Sequence, residues 1–231
     1  MKEHIISELP GQAEVVIIGA GIVGVSAAWE LTRRGVTDIV VIDRGDMFRT
    51  GGSTSHAPGG IFQNNGSRTI SKLAQWSVET FLSANDDGPD PVYWPVGSLE
   101  VATTEARWAD LHRKYGYARS WGLDAMLLSP AETKAKINLL DEATILGSIH
   151  VARDGDLKAI PFVERIAARA GKAGARFIGR TKVTGFDISD LQIRAVQTDR
   201  GTIRAEKVLV CGGIWGPLLG QMAGVPIPLQ P

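Results

Sequence analysis

The chain has 231 residues, 44% hydrophobic and 22% charged, the balance of a globular protein long enough to bury its own core and not of a disordered one. Lysine plus arginine equals aspartate plus glutamate at 25 each, which argues against nucleic acid as a partner, and no run approaches the roughly 20 apolar residues of a membrane span. The single cysteine, Cys211, excludes an intrachain disulfide and a multi-cysteine metal centre. Met1 to Pro10 has acids and no apolar segment of a secretory signal; together these favour a reducing, cytoplasmic setting.

Ala13 to Gly19 (AEVVIIG) is a short β-branched run closed by glycine and predicts a buried parallel strand. Ile22 to Arg34 predicts a helix with Ala27, Ala28 and Leu31 on its apolar face, and Asp38 to Asp43 (DIVVID) a second buried strand. The order is strand, helix, strand within about 30 residues, a βαβ unit. Gly45 to Gly66 reads as loop, and Ile70 to Leu82 as a helix with Leu73, Trp76, Val78 and Phe81 on its stripe. Asn85 to Pro91 is a polar turn region.

Gly97 to Thr103 alternates like a strand, and Glu105 to Tyr115 predicts a helix. Ser129-Pro130-Ala131-Glu132 opens another helix, with an N-cap serine, proline at the first helical position and an acid at the third. Ile145 to Val151 reads as strand, Asp156 to Gly171 as a helix carrying Leu157, Ile160, Val163, Ile166 and Ala167. Short strands are expected around 176–178, 181–183 and 192–198, then a turn at 199–201 and a buried strand at 207–210 broken by Cys211-Gly212-Gly213. Gln221 to Pro231, with three prolines, is an exposed or connecting segment.

Gly19-Ala20-Gly21-Ile22-Val23-Gly24 is a G-x-G-x-x-G sequence between the first strand and the first helix. A pyrophosphate requires a close backbone approach and free N–H groups at a helix N-terminus. Gly19 makes the turn, Gly21 admits the phosphates, and Gly24 lets the helix pack on the strand. Asp43 ends the next strand at the spacing of an acid that accepts hydrogen bonds from an adenosine ribose. The bland alternative is a tight turn with no ligand. Asp43 does not choose between NAD and FAD, and Arg44 either meets a 2′-phosphate of NADP or is a solvated strand-end charge. Gly51 to Gly60 (GGSTSHAPGG) combines permissive backbone, three hydroxyls and His56, a composition suited to wrapping an anionic or polar ligand. By itself a loop histidine is more often a surface residue.

GAGIVG, VVIDRG, GGSTSHAPGG, GSLEVATT and VLVCGGIWG together resemble the N-terminal part of the D-amino-acid-oxidase-like FAD oxidoreductases, most of all the dimethylglycine oxidase and the dimethylglycine and sarcosine dehydrogenases. The resemblance runs over nearly the whole chain. It implies an α/β fold: a Rossmann-like FAD-binding domain with part of a β-rich substrate-binding layer, truncated at the C-terminus. Residues 1–90 and 153–220 are the two segments of the FAD domain, 91–152 the partial substrate subdomain, and 221–231 a linker or cut connection. Ile22 and Val23 are implied to line the pyrophosphate turn, Asp43 and Arg44 to hold the ribose, and Ser53, Thr54, Ser55 and His56 to surround the isoalloxazine with Gly60 near it. In the family the histidine matching His56 bonds covalently to the flavin 8α-methyl, and the resemblance further implies that Val183 meets the adenine and that Gly212 and Gly213 pass close to the cofactor. Gly60 departs from the aliphatic residue common at that position.

The implied activity is oxidation of the C–N bond of an N-methylated glycine, dimethylglycine or sarcosine. The implied catalytic groups lie beyond Pro231, and so does a tetrahydrofolate site; the chain is then a fragment, a split subunit completed by a separate C-terminal half, or a truncated product. A non-catalytic FAD-binding chain and an NAD(P)-binding Rossmann protein remain as alternatives, the latter opposed by GGSTSHAPGG. Trp76, Trp94, Trp108, Trp121 and Trp215 read as packing residues rather than an amine cage, Cys211 as a buried small residue, and Asp154 and Asp156 as turn and cap residues rather than a metal pair.

Overall fold

The computed structural model describes residues 4–49 and 51–229. Residues 1–3, 50, 230 and 231 lie outside the described residues, and with them the ends of the N-terminal stretch and of the proline-rich segment. The chain divides into two compact units, residues 1–58 with 159–231, and residues 59–158. The sequence places the boundaries at 90/91 and 152/153. The helix expected at 70–82 packs on the strand at 93–94 of the second unit, and residues 155–157 pair with 60–61 and 93–94, so both segments belong to that unit.

The βαβ unit is β1 (Gln12–Ile18), α1 (Ile22–Arg33) and β2 (Ile39–Ile42). The strands pair in parallel, Val15 opposite Ile39 and Ile18 opposite Ile42. Both faces of β2 are covered, so its four residues are all β-branched, as a doubly buried parallel strand requires. The expected loop 45–66 contains a one-turn helix α2 (Ser53–His56) and a two-residue strand β3 (Gly60–Ile61). The second unit continues with α3 (Arg68–Ala84), β4 (Tyr93–Trp94), β5 (Ser98–Ala102), α4 (Glu105–Ser120), β6 (Ala125–Leu128), α5 (Pro130–Lys136), β7 (Gly147–Val151) and β8 (Gly155–Leu157). The chain returns to the first unit through α6 (Ala159–Lys172), β9 (Arg176–Ile178), β10 (Val183–Ser189), β11 (Gln192–Thr198), β12 (Gly201–Val210) and α7 (Gly216–Met222).

The first unit is built on a six-stranded sheet in the order β10-β11-β12-β1-β2-β9. Its β12-β1-β2-β9 part is parallel, and β10 and β11 join antiparallel at one edge. Helix α6 packs on α1 and buries Phe162, Val163, Ile166, Ala167 and Ala170. Each large apolar side chain there contributes about 1.5–3 kcal/mol of burial. Leu157, expected on this helix, lies in β8 instead. Strand β12 is longer than the expected 207–210, and those four residues, expected to be buried, are exposed or half-buried. Its first half alternates, with Ile203 and Ala205 buried between exposed neighbours, a weaker signal than the apolar run that follows.

The second unit holds two three-stranded sheets, β3-β8-β4 and β5-β7-β6. Strand β7 is wholly buried, and Ile149 and Val151 share a core with Leu111 and Ala118 of α4. Helix α5 has the expected cap: Ser129 Oγ accepts from Glu132 N–H, and the Glu132 carboxylate accepts from Ser129 N–H at 2.8 Å. The expected stripe of α3 is corrected. Ser71, Val78, Phe81 and Ala84 face inward, whereas Leu73 and Trp76 are half exposed, at 52% and 51%. The inward face follows steps of three and four from Ser71, a hydroxyl that hydropathy does not count.

Candidate cofactor site at the carboxyl ends of the parallel strands

Open parallel sheets bind ligands beyond the carboxyl ends of their strands. There, in the first unit, a cavity of about 520 Å³ opens over the ends of β1, β2 and β12, a size suited to a cofactor. The glycine turn forms its floor. Gly19 adopts φ +113°, and a Cβ on it would stand 2.3 Å from the Cys211 carbonyl oxygen. A Cβ on Gly24 would stand 1.9 Å from the Gly19 carbonyl oxygen. Gly21 differs: its Cβ would meet no backbone, only Thr54 Oγ1 at 3.1 Å. Two of the glycines therefore serve the packing of the turn, and the third leaves open the cradle that a Cβ would fill.

Helix α1 has Gly21 as its N-cap residue and so no side-chain cap of its own. Its Ile22 N–H donates to Thr54 Oγ1 at 3.0 Å, so the hydroxyl-rich loop reaches the positive end of the helix. Asp43 spans the turn: Oδ2 accepts from Ala20 N–H and Oδ1 from Gly45 N–H, each at 2.8 Å. Those two bonds aim the carboxylate and leave further lone pairs for ligand hydroxyls. Arg44 lies with its guanidinium carbon 3.9 Å from the centre of the Trp215 ring. Thr181 is buried, and its N–H donates to the Asp43 carbonyl at 2.8 Å, which brings Lys182 and Val183 to the same rim.

Gly19, Gly21, Ile22, Val23, Asp43, Arg44, Ser53, Thr54, Val183, Gly212 and Gly213 all line this cavity. Gly24, Ser55 and His56 stand beside it without lining it, and Gly60 belongs to β3 of the second unit. His56 is exposed at the end of α2. Its Nδ1 lies 3.0 Å from the Gly52 carbonyl oxygen and 3.1 Å from Ser55 Oγ. A carbonyl only accepts, so this contact places the proton on Nδ1 and leaves Nε2 as the free lone pair.

Sequence reasoning missed Lys182, Trp215, and the apolar wall of Leu218, Leu219 and Met222 on α7. Trp215, read as packing, faces the cavity, and Cys211 lines it with its thiol pushed up by burial. The i, i+4 spacing of Leu218 and Met222 was visible, but their place near Val183 depends on the docking of α7 against β10. No group of three or more potential metal ligands occurs among the described residues. Asp154 is instead a buried hydrogen-bond hub, accepting from Gln63 N–H, Gln63 Nε2 and Ser98 Oγ.

The glycine cradle, helix terminus and strand-end acid fit a dinucleotide, and comparison with known proteins agrees. Mouse mitochondrial sarcosine dehydrogenase is 28% identical over 228 residues, 96% of this chain and 25% of that protein. Human mitochondrial dimethylglycine dehydrogenase is 29% identical over 223 residues, 95% of this chain and 25% of that one. The crystal structure of L-proline dehydrogenase from P. horikoshii superposes with a TM-score of 0.88 at 28% identity, covering 94% of this chain and 57% of that chain. The chain thus spans about a quarter of the length of these curated relatives and just over half of the solved structure. The FAD dependent oxidoreductase family, DAO, matches residues 14–231; with the fold and the cavity in agreement, the chain belongs to the DAO family of FAD dependent oxidoreductases.

Proposed function

We propose that this chain is the FAD-binding part of an oxidoreductase that oxidises the C–N bond of an N-methylated glycine, dimethylglycine or sarcosine. The observation that carries the reading is the cavity in which the Gly21 cradle, the start of α1 and the Asp43 carboxylate meet. The names of the two dehydrogenase relatives support the substrate class. Bound FAD supplies the acceptor for a hydride from the carbon beside the amine nitrogen. The chain's own residues do the binding. Gly19, Gly21 and the first turn of α1, with Ile22 and Val23, take the pyrophosphate; Asp43 and Arg44 take the ribose; Val183 takes the adenine, against the apolar wall of α7. Ser53, Thr54 and Ser55 lie toward the flavin, with Gly212 and Gly213 at the β12 end. His56 Nε2 is the nitrogen available for a covalent bond to the flavin 8α-methyl.

The groups that face the amine are proposed to lie outside residues 1–231, in a C-terminal half. One observation favours a second reading, a non-catalytic FAD-binding chain. The titratable residues lining the cavity are Asp43, Arg44, Lys182 and Cys211, and both oxygens of the lone carboxylate already accept backbone N–H groups. None is poised as a general base. The test is dye reduction by the FAD-loaded chain with sarcosine and with dimethylglycine, alone and with a relative's C-terminal half supplied as a second polypeptide. Reduction that needs the second polypeptide supports the proposal. Retention of FAD with no reduction in either arm favours the second reading.

A further inference from the structure

Strands β2 and β12 both pair with β1, so their carboxyl ends flank the glycine turn from opposite sides. Two interstrand steps separate them by about 10 Å. Arg44, two residues past β2, reaches across that gap to Trp215, which follows β12 and caps the start of α7. The contact is a close one, guanidinium carbon to ring centre 3.9 Å, where a cation is held against the negative face of an indole.

The acids nearest to Arg44 in sequence are committed elsewhere. Asp43 receives the N–H groups of Ala20 and Gly45, and Asp46 pairs with Arg180. Among the described residues no carboxylate pairs with Arg44. Its guanidinium carbon therefore lies against the Trp215 ring at the rim of the cavity, with no carboxylate among the described residues occupying its N–H groups. A guanidinium held against a ring loses less freedom when it binds phosphate or ribose oxygens than a mobile one does.

We propose that Trp215 is a positioning residue for the adenosine-diphosphate end of the cofactor, acting through Arg44. This rests on the reading of the cavity as an FAD site. Trp215 holds the guanidinium over the gap between the strand ends, and Arg44 makes the contact with the ligand. Lysine at position 44 would span the distance but has no plane to stack, so the pair calls for arginine.

The test uses the 231-residue chain and ADP as the probe, read by titration calorimetry. ADP carries the adenosine and the diphosphate without the flavin. Arg44→Ala and Trp215→Ala are each expected to weaken ADP about five- to tenfold, the range of a partly desolvated cation–π contact. Trp215→Phe, which keeps an aromatic face, is expected to stay within about threefold of the wild type. The double variant Arg44→Ala/Trp215→Ala is expected to bind no more weakly than Arg44→Ala, since one residue acts through the other. Three results would overturn the inference: unchanged affinity in Trp215→Ala, losses that multiply in the double variant, or a Phe variant as weak as the Ala variant. If Trp215→Ala does not fold, the Phe variant and the Arg44 variant decide between the outcomes. Failure of the wild type itself to bind either ADP or FAD would overturn the cofactor reading, and this inference with it.

Discussion

The three glycines of the turn should separate experimentally into two classes. At Gly24 an added methyl would stand 1.9 Å from the Gly19 carbonyl oxygen and 3.3 Å from Cys211 Cβ. Backbone must move to admit it, since neither neighbour is the end of a flexible side chain. Overpacking of this kind costs about 1–3 kcal/mol or more. The better helix propensity of alanine returns up to about 1 kcal/mol. A net loss of about 2 kcal/mol is expected for Gly24→Ala, equivalent to a fall in melting temperature of roughly 4–8 °C for a chain of this size. At Gly21 the methyl meets only the Thr54 hydroxyl, at 3.1 Å, and φ is −74°. Stability should change by about 1 kcal/mol or less in Gly21→Ala, while affinity for FAD falls at least about tenfold because the methyl stands where the phosphates approach. Urea unfolding followed by circular dichroism reads the first quantity and FAD titration the second. Wild-type stability in Gly24→Ala, or wild-type FAD affinity in Gly21→Ala, would refute this division of roles.

Asp43→Ala removes the acceptor for Ala20 and Gly45 N–H and should weaken FAD by about 1–3 kcal/mol, read by the same titration. His56→Ala should abolish flavin fluorescence that stays on the acid-denatured polypeptide; covalent flavin retained in that variant would exclude His56 as the link. Tyr93 is buried, and its hydroxyl donates to the Arg153 carbonyl at 2.6 Å. Burial, helped by the nearby Asp154 charge, pushes its phenol up from 10.0 to about 12. The folded state thus holds this proton more tightly than the unfolded state, so the stability it contributes is complete below pH 10 and lost between about pH 10 and 12. Tyr93→Phe should lose about 1 kcal/mol at neutral pH, and its deficit relative to the wild type should shrink over that alkaline window in urea titrations.

The βαβ unit was legible because β1 and β2 are buried on both faces over most of their length. The β-branched runs at 15–18 and 39–42 have no period to misread, and glycine, the helix and Asp43 follow at fixed spacing. The family resemblance rested on five separated motifs and survived comparison. Less legible were elements too short to show a period: α2, β3 and β4 have two to four residues each, and tertiary pairing alone defines them. Helix α3 was found, but its inward face was misassigned because Ser71 is buried while Leu73 and Trp76 are not. Residues of the site that act through the backbone turn were readable from Gly and Asp. Trp215 and Lys182 were not, because their role depends on strand order, which sets β12 and β10 on the same side of β1.

The central claim is that the cavity at the strand ends takes FAD, and equilibrium binding measures it most directly. Apoprotein titrated in parallel with FAD, NADH and NADPH should bind FAD with one-to-one stoichiometry and keep visible flavin absorbance through desalting, with no measurable affinity for the nicotinamide dinucleotides. Binding of NADH or NADPH with no affinity for FAD would contradict the account.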